Sequence, residues 1–141
     1  MVNRESERGS AIVEFHFLGL LLLIPLVYVL LAALDVQRAA YGVTQAAREA
    51  GRVFVVTGQE SAARFAADVA LRDQGVEPAD VVMSVRCSAS PCHRPGAEVE
   101  VTLRTAVALP LVPDVLAGVA HAEIPVEATH VGVVDRFQEV P

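Results

Sequence analysis

The chain has 141 residues, 53% of them apolar, and a formal net charge of −6; every one of its eleven basic residues is arginine. That length suits one small domain, and a mean hydropathy of +0.45 is high for a soluble one. The charge is lopsided, with five Arg against five acids in residues 1–52 and six Arg against twelve acids in residues 53–141. So acidic a C-terminal part leaves no basic patch, which argues against nucleic acid and against docking on anionic lipid.

A short polar stretch, Met1–Gly9, precedes Ser10-Ala11-Ile12-Val13-Glu14-Phe15. Phe17–Leu34 then runs eighteen residues without a charge. As a helix that run is about 27 Å long, close to the ~30 Å apolar thickness of a bilayer. Counting from Ser10 gives length to spare. A chain this small has no core that could surround such an all-apolar cylinder, which disfavours a buried core helix. A cleaved secretory signal competes. Against it, the run is longer than the apolar region of such signals, carries Glu14 at its mouth, and offers only Ala32-Ala33 as a small-residue cleavage site. The expectation is a membrane-spanning helix, kinked where Pro25 removes a backbone hydrogen bond, with Gly19 easing the approach of another helix. An acidic residue costs roughly 2.5–3.5 kcal/mol at the middle of such a helix and less near the interface. Glu14 therefore needs a partner.

Helical periodicity continues past the apolar run. Val36, Ala40, Val43, Ala47, Ala50 and Phe54 recur at alternating four- and three-residue steps, a narrow apolar stripe. Gln37, Arg38, Thr44, Gln45, Arg48, Glu49 and Arg52 fall elsewhere on the surface. An unbroken helix from Ser10 to Arg52 would be about 64 Å long. Its first half would sit in lipid. Its second half would pack on its own ectodomain or on a neighbouring subunit, or stand as a solvated stalk. Thr57-Gly58-Gln59 ends the pattern and Glu60 opens a second helix. Ala62, Phe65, Ala66, Val69 and Ala70 form its predicted stripe, with Arg64, Asp68 and Arg72 outside it and Gly75 at its end.

Strand signals follow. Val81, Met83 and Val85 alternate with Asp80, Val82, Ser84 and Arg86, and Val99, Val101 and Leu103 alternate with Glu98, Glu100, Thr102 and Arg104. The two runs flank the loop Cys87–Gly96 and suit a hairpin. Cys87 and Cys92, the only cysteines, stand close together in that loop, a spacing suited to a disulfide in an oxidising space. A ring so small is worth only about 2 kcal/mol on a chain-entropy estimate. A metal site of Cys87, Cys92 and His93 lacks a convincing fourth ligand. Leu109–Val119 carries Pro110, Pro113 and Gly118, and is expected to be a short helix or turn crossing the sheet. Ala122, Ile124, Val126 and Ala128 mark a last strand, which Pro125 places at an edge. The expected fold class is α+β. It divides into residues 1–9, a transmembrane plus amphipathic helix over 10–56, and a small extracytoplasmic domain over 57–141 with one further helix and a short antiparallel sheet. The disulfide favours an N-terminus in the cytoplasm and a C-terminal part outside; the arginines flanking the span do not decide it.

No constellation for catalysis stands out. His16, His93, His121 and His130 are scattered, and none forms a spaced metal pair with another. Ser88 and Ser90 lack a nucleophile-elbow context. Glu98 and Glu100 share one face of a strand and read as solvation rather than as an acid–base couple. No metal or cofactor site is expected, and binding and assembly are the functions the residues support.

Gly9, the Glu14-Phe15 pair five and six residues after it, and Ala46-Ala47-Arg48-Glu49-Ala50-Gly51-Arg52 carry a resemblance. In them the chain resembles the TadE-like minor pilins, or pseudopilins, of the tight-adherence (Flp/Tad) branch of type IV pilus systems. The similarity covers residues 8–54; the family's small β-rich region is matched more loosely by Ala97–Arg136. The chain departs in its proline, which many relatives carry nearer the glutamate and which here is Pro25. The resemblance implies a leader ending at Gly9, cut from Ser10 by a prepilin peptidase, with methylation of the new amine as an option. It also implies that Glu14, with Phe15, serves assembly by meeting the Ser10 amine of a neighbouring subunit. The implied partners are the peptidase, other pilin or pseudopilin subunits, a membrane assembly platform and the bilayer. The implied location is the bacterial cytoplasmic membrane, with passage into an extracellular filament. A second reading is a permanently anchored, uncleaved binding module of a secretion or envelope complex, in which Glu14 pairs with a fixed partner helix.

Overall fold

Unbroken apolar sequence, followed by small residues at helical spacing, carries a single helix through both stretches. The computed structural model describes residues 6–109 and 123–137, with side chains described from Ala11 onward. Helix α1 (Ser6–Thr57) has 52 residues and continues through Pro25; at 1.5 Å per residue it is about 78 Å long. Its most apolar eighteen-residue window has a mean hydropathy of 2.8 and is 6% buried, which makes it a candidate membrane span by length and composition. The environment then changes. Most large residues from Ile12 to Leu34 are exposed, with Tyr28 half-buried and Ala32 already buried, whereas Ala39, Val43, Ala46, Ala47, Ala50 and Phe54 are buried.

Helix α1 ends where the sequence breaks. Gly58 adopts φ +67°, a conformation costly for any residue with a Cβ, and its N–H donates to the Phe54 carbonyl at 2.8 Å. Helix α2 (Glu60–Asp73) follows. Its C-terminus closes as a Schellman motif. The Val76 N–H donates to Leu71 O at 3.0 Å and the Gly75 N–H to Arg72 O at 2.9 Å, with Gly75 at φ +69°.

The phase of α2 differs from the expected stripe. Ala63, Ala67, Ala70 and Leu71 are buried, whereas Phe65 is 70% exposed and Val69 is exposed. Side-chain size explains the difference. The buried surface of α1 between Ala39 and Ala50 is mostly alanine, so α2 and the turn after it approach closely and only small side chains fit between the helices. A Cβ built on Gly42 would lie 2.9 Å from Val76 Cγ2. Arg64, expected in solvent, is partly buried instead. Its Nη2 donates to the carbonyls of Pro78 and Val81 at 3.2 and 3.0 Å, tying α2 to a 3₁₀ turn (Pro78–Asp80).

Three antiparallel strands, β1 (Val82–Cys87), β2 (Glu98–Ala108) and β3 (Glu123–Val133), form a sheet in the order β1-β2-β3. The register stacks Val85, Val101 and His130 across the inner face, and Cys87, Val99 and Gly132 in the next row. The outer face carries exposed ion pairs, including Arg104 Nε to Glu127 Oε2 at 2.8 Å, and a hydrogen bond between the Thr102 and Thr129 hydroxyls at 2.9 Å. β3 runs on past Ala128, the last residue of the expected alternation, because the eleven residues of β2 give it partners as far as the Glu98–Val133 pair. Pro125 lies in β3, at the sheet edge. The helix or turn expected over Leu109–Val119 lies, after Leu109, outside the described residues, as does Ala122.

The sheet meets α1 through two glycines. A Cβ on Gly51 would stand 2.5 Å from His130 Cδ2, and one on Gly132 would stand 3.0 Å from Val55 Cγ1. Leu71, Leu103, Val43, Val99, Val101 and Val134 are the largest side chains fully buried. The core thus lies around α1, with α2 and the sheet both packed on that helix. Replacing Gly51 with leucine forces α1 and β3 apart and is expected to destabilise the domain by about 1–3 kcal/mol. Gly19→Leu, whose Cβ meets nothing within 4 Å, should leave thermal unfolding of the detergent-solubilised protein unchanged.

Candidate functional site

The chemistry-bearing residues fall into three places, two on α1 and one in a loop that meets its last turn. At the N-terminal end the backbone is already helical at Gly9 and Ser10. Glu14 and Phe15 follow one turn later, both exposed. Beside them, His16 Nδ1 lies 2.8 Å from the Ile12 carbonyl, and the Phe15 and His16 rings meet edge-on at 6.0 Å. An acid and an imidazole therefore stand two residues apart at one end of the otherwise uncharged stretch Ala11–Leu34.

Farther along, Val43, Ala47 and Ala50 are buried and Val36 and Ala40 partly buried, all against the domain's own elements. Ala39 and Ala46, outside the narrow stripe, are buried as well. They are covered because α1 is enclosed on two sides, which a one-sided stripe does not anticipate. Beside this spine, Gln45, Glu49, Phe65, Ala66, Val69 and Asp73 line an open groove between α1 and α2. Its apolar floor is the face of α2 that the helix–helix contact leaves out.

The third place is the loop between β1 and β2. Cys87 and Cys92 are joined as a disulfide. Both sulfurs are thereby used, so no thiolate accompanies His93. That imidazole instead makes a structural bond, its Nε2 lying 3.0 Å from the Val55 carbonyl in the last turn of α1. A carbonyl can only accept, so Nε2 is the donor, and a donor beside exposed helix C-terminal carbonyls is favourable. The ring also covers Gly58, where a Cβ would lie 2.9 Å from His93 Cγ. The spacing of the two cysteines suggested the disulfide; nothing in sequence linked His93 to Val55, 38 residues away. His130 faces Gly51 from within β3. Among the described residues no group of three or more His, Cys, Asp or Glu is placed to hold a metal ion.

These features define a class: a small α+β domain built on the second half of a helix whose first half is a candidate membrane span. Comparison with models of known protein families, with characterised proteins and with solved structures finds no match.

The disulfide and the His93 contact hold the loop by separate means. Cys87→Ser with Cys92→Ser should cost about 2 kcal/mol of stability. His93→Ala should cost about 1 kcal/mol and speed amide hydrogen exchange over residues 88–94 with the disulfide intact.

Proposed function

We propose that the protein is a membrane-anchored minor pilin, or pseudopilin, of the Flp/Tad type, and that it takes part in building a filament rather than in catalysis. What supports this reading above all is the continuity of α1. One helix carries a mostly exposed apolar stretch from Ala11 to Leu34, in which Ala32 is buried and Tyr28 half-buried, and is then buried in a small domain from Ala39. Such a helix anchors a subunit in a bilayer and, once extracted, offers the same surface for lateral packing among copies. The residues at its N-terminal end add support: Gly9-Ser10 stands just ahead of Glu14-Phe15. Cleavage by a prepilin peptidase after Gly9 would create a Ser10 ammonium one turn from the carboxylate level. Opposite unit charges about 4 Å apart attract by about 1 kcal/mol in water and about 4 kcal/mol at an effective dielectric near 20. A low-dielectric bundle would therefore reward the register in which one copy's Glu14 meets another's amine. In this reading the N-terminus faces the cytoplasm, and the domain, with its disulfide, lies outside.

The position of the mature N-terminus tests the proposal. Protein recovered from the membranes of its own host should begin at Ser10, methylated or not. A chain beginning at Met1 or Val2 would identify a permanent anchor instead, and one beginning near Leu34 a domain released by signal peptidase. Glu14→Ala should still insert and still be cleaved, yet leave few or no filaments in shear fractions. Normal filament yield from that variant would remove the electrostatic role of Glu14.

A further inference from the structure

Glu14 and His16 are the two side chains between Ala11 and Leu34 that can carry a full charge near neutral pH. They cannot satisfy each other within one helix. Two residues apart, they differ by about 200° of rotation and so point to nearly opposite faces, while differing in height by only about 3 Å. Each is exposed in the isolated chain. The bond from His16 to the Ile12 carbonyl at 2.8 Å also sets which ring nitrogen is free. Because the carbonyl only accepts, Nδ1 carries a proton, and Nε2 is left to meet a partner.

We propose that the uncleaved protein associates with further copies of itself in the bilayer, Glu14 of one helix pairing with His16 Nε2 of the next. The two groups share one proton, as carboxylate with imidazolium or as carboxylic acid with imidazole, and the pair is neutral either way. Parallel copies in one bilayer place the two groups within about 3 Å of each other in depth. The 8–10 Å separation of packed helices lies within the joint reach of a glutamate and a histidine. Because acid and base occupy opposite faces, the contact is heterologous: each helix that accepts a neighbour on one side presents the complementary group on the other. Such contacts build rows or rings rather than closed two-fold dimers. The occupant of each face is thus a second copy of this chain, selected by charge complementarity where an unpaired ionisable group is costly. The inference rests on the membrane-spanning part of the proposed function and not on leader cleavage. It gives Glu14 a partner before any Ser10 amine exists.

The test uses full-length chains with a C-terminal fluorescent tag, reconstituted in phosphatidylcholine vesicles without peptidase and counted by photobleaching steps. Wild type should form assemblies larger than pairs. Glu14→Ala alone and His16→Phe alone should each lose about tenfold or more in association, the scale of one interhelical polar contact. Mixing those two variants should restore pairs and nothing larger, since only one complementary contact remains. A chain with Glu14→His and His16→Glu should regain the larger assemblies. The proposal is overturned if either single variant assembles like wild type, or if the mixture stays as single copies. It is also overturned if assembly appears only in protein beginning at Ser10, which would assign Glu14 to the amine. Resistance of wild type to alkaline extraction reports insertion separately; its loss would overturn the membrane reading itself.

Discussion

How closely other elements approach the second half of α1 governs the rest of the domain. Gly42 admits the turn that follows α2, and Gly51 admits His130 from β3. Ala39, Ala46, Ala47 and Ala50 fill the positions between and beside them. Dispersion falls off steeply with separation, so a helix surface of such small residues becomes a good core only if its neighbours come very near. Each alanine buries little area alone. The domain compensates by enclosing the helix on two sides, with α2 on one and the sheet on the other. Among the described residues the largest fully buried side chains, Leu71, Leu103 and Val101 among them, come mostly from the elements that pack on α1, which itself contributes Val43 and the nearly buried Phe54.

The same helix passes from one environment to another without a joint. Up to Leu34 its large side chains are exposed, apart from the half-buried Tyr28; from Ala39 it is the centre of a folded domain. No flexible linker intervenes, so the domain's orientation follows that of the apolar segment. The strand ends Thr105–Val107 border a groove with Asp35, Arg38 and Ala39, which brings one end of the sheet to the level at which the exposed apolar stretch stops. At the far end of that stretch Glu14 and His16 add polarity to a surface otherwise able to slide and rotate freely against similar helices. Packing of apolar helices in lipid is weakly directional, so a few polar groups decide which arrangement forms.

The loop between β1 and β2 shows how a short-range and a long-range constraint act together. The disulfide narrows the loop, and His93 attaches it to the final turn of α1. Gly58 meets two demands there: a left-handed backbone to stop the helix and room for the imidazole. Arg64 serves α2 similarly by capturing the carbonyls around the 3₁₀ turn.

Period and punctuation were legible in the residues themselves. An uninterrupted apolar run, Gly58 and Gly75 as stops, alternation around Val101, and two nearby cysteines are local signals, and local backbone preference is enough to set them. The order of strands along the hairpin followed from the same alternation. The face on which α2 would bury itself was not legible. Hydrophobic patterning weights large side chains such as Phe65 and Val69, whereas a helix partner made of glycine and alanine selects Ala63 and Ala67, and the identity of that partner is a tertiary fact. The reach of β3 to Val133, the capture of Arg64 and the seating of His93 on Val55 likewise depend on groups far away in sequence. The residues by themselves determined where helices and strands begin and stop and which segment is apolar enough to cross a membrane. Only the tertiary structure decided which surfaces meet, because contact depends on the shape and size of the surface opposite.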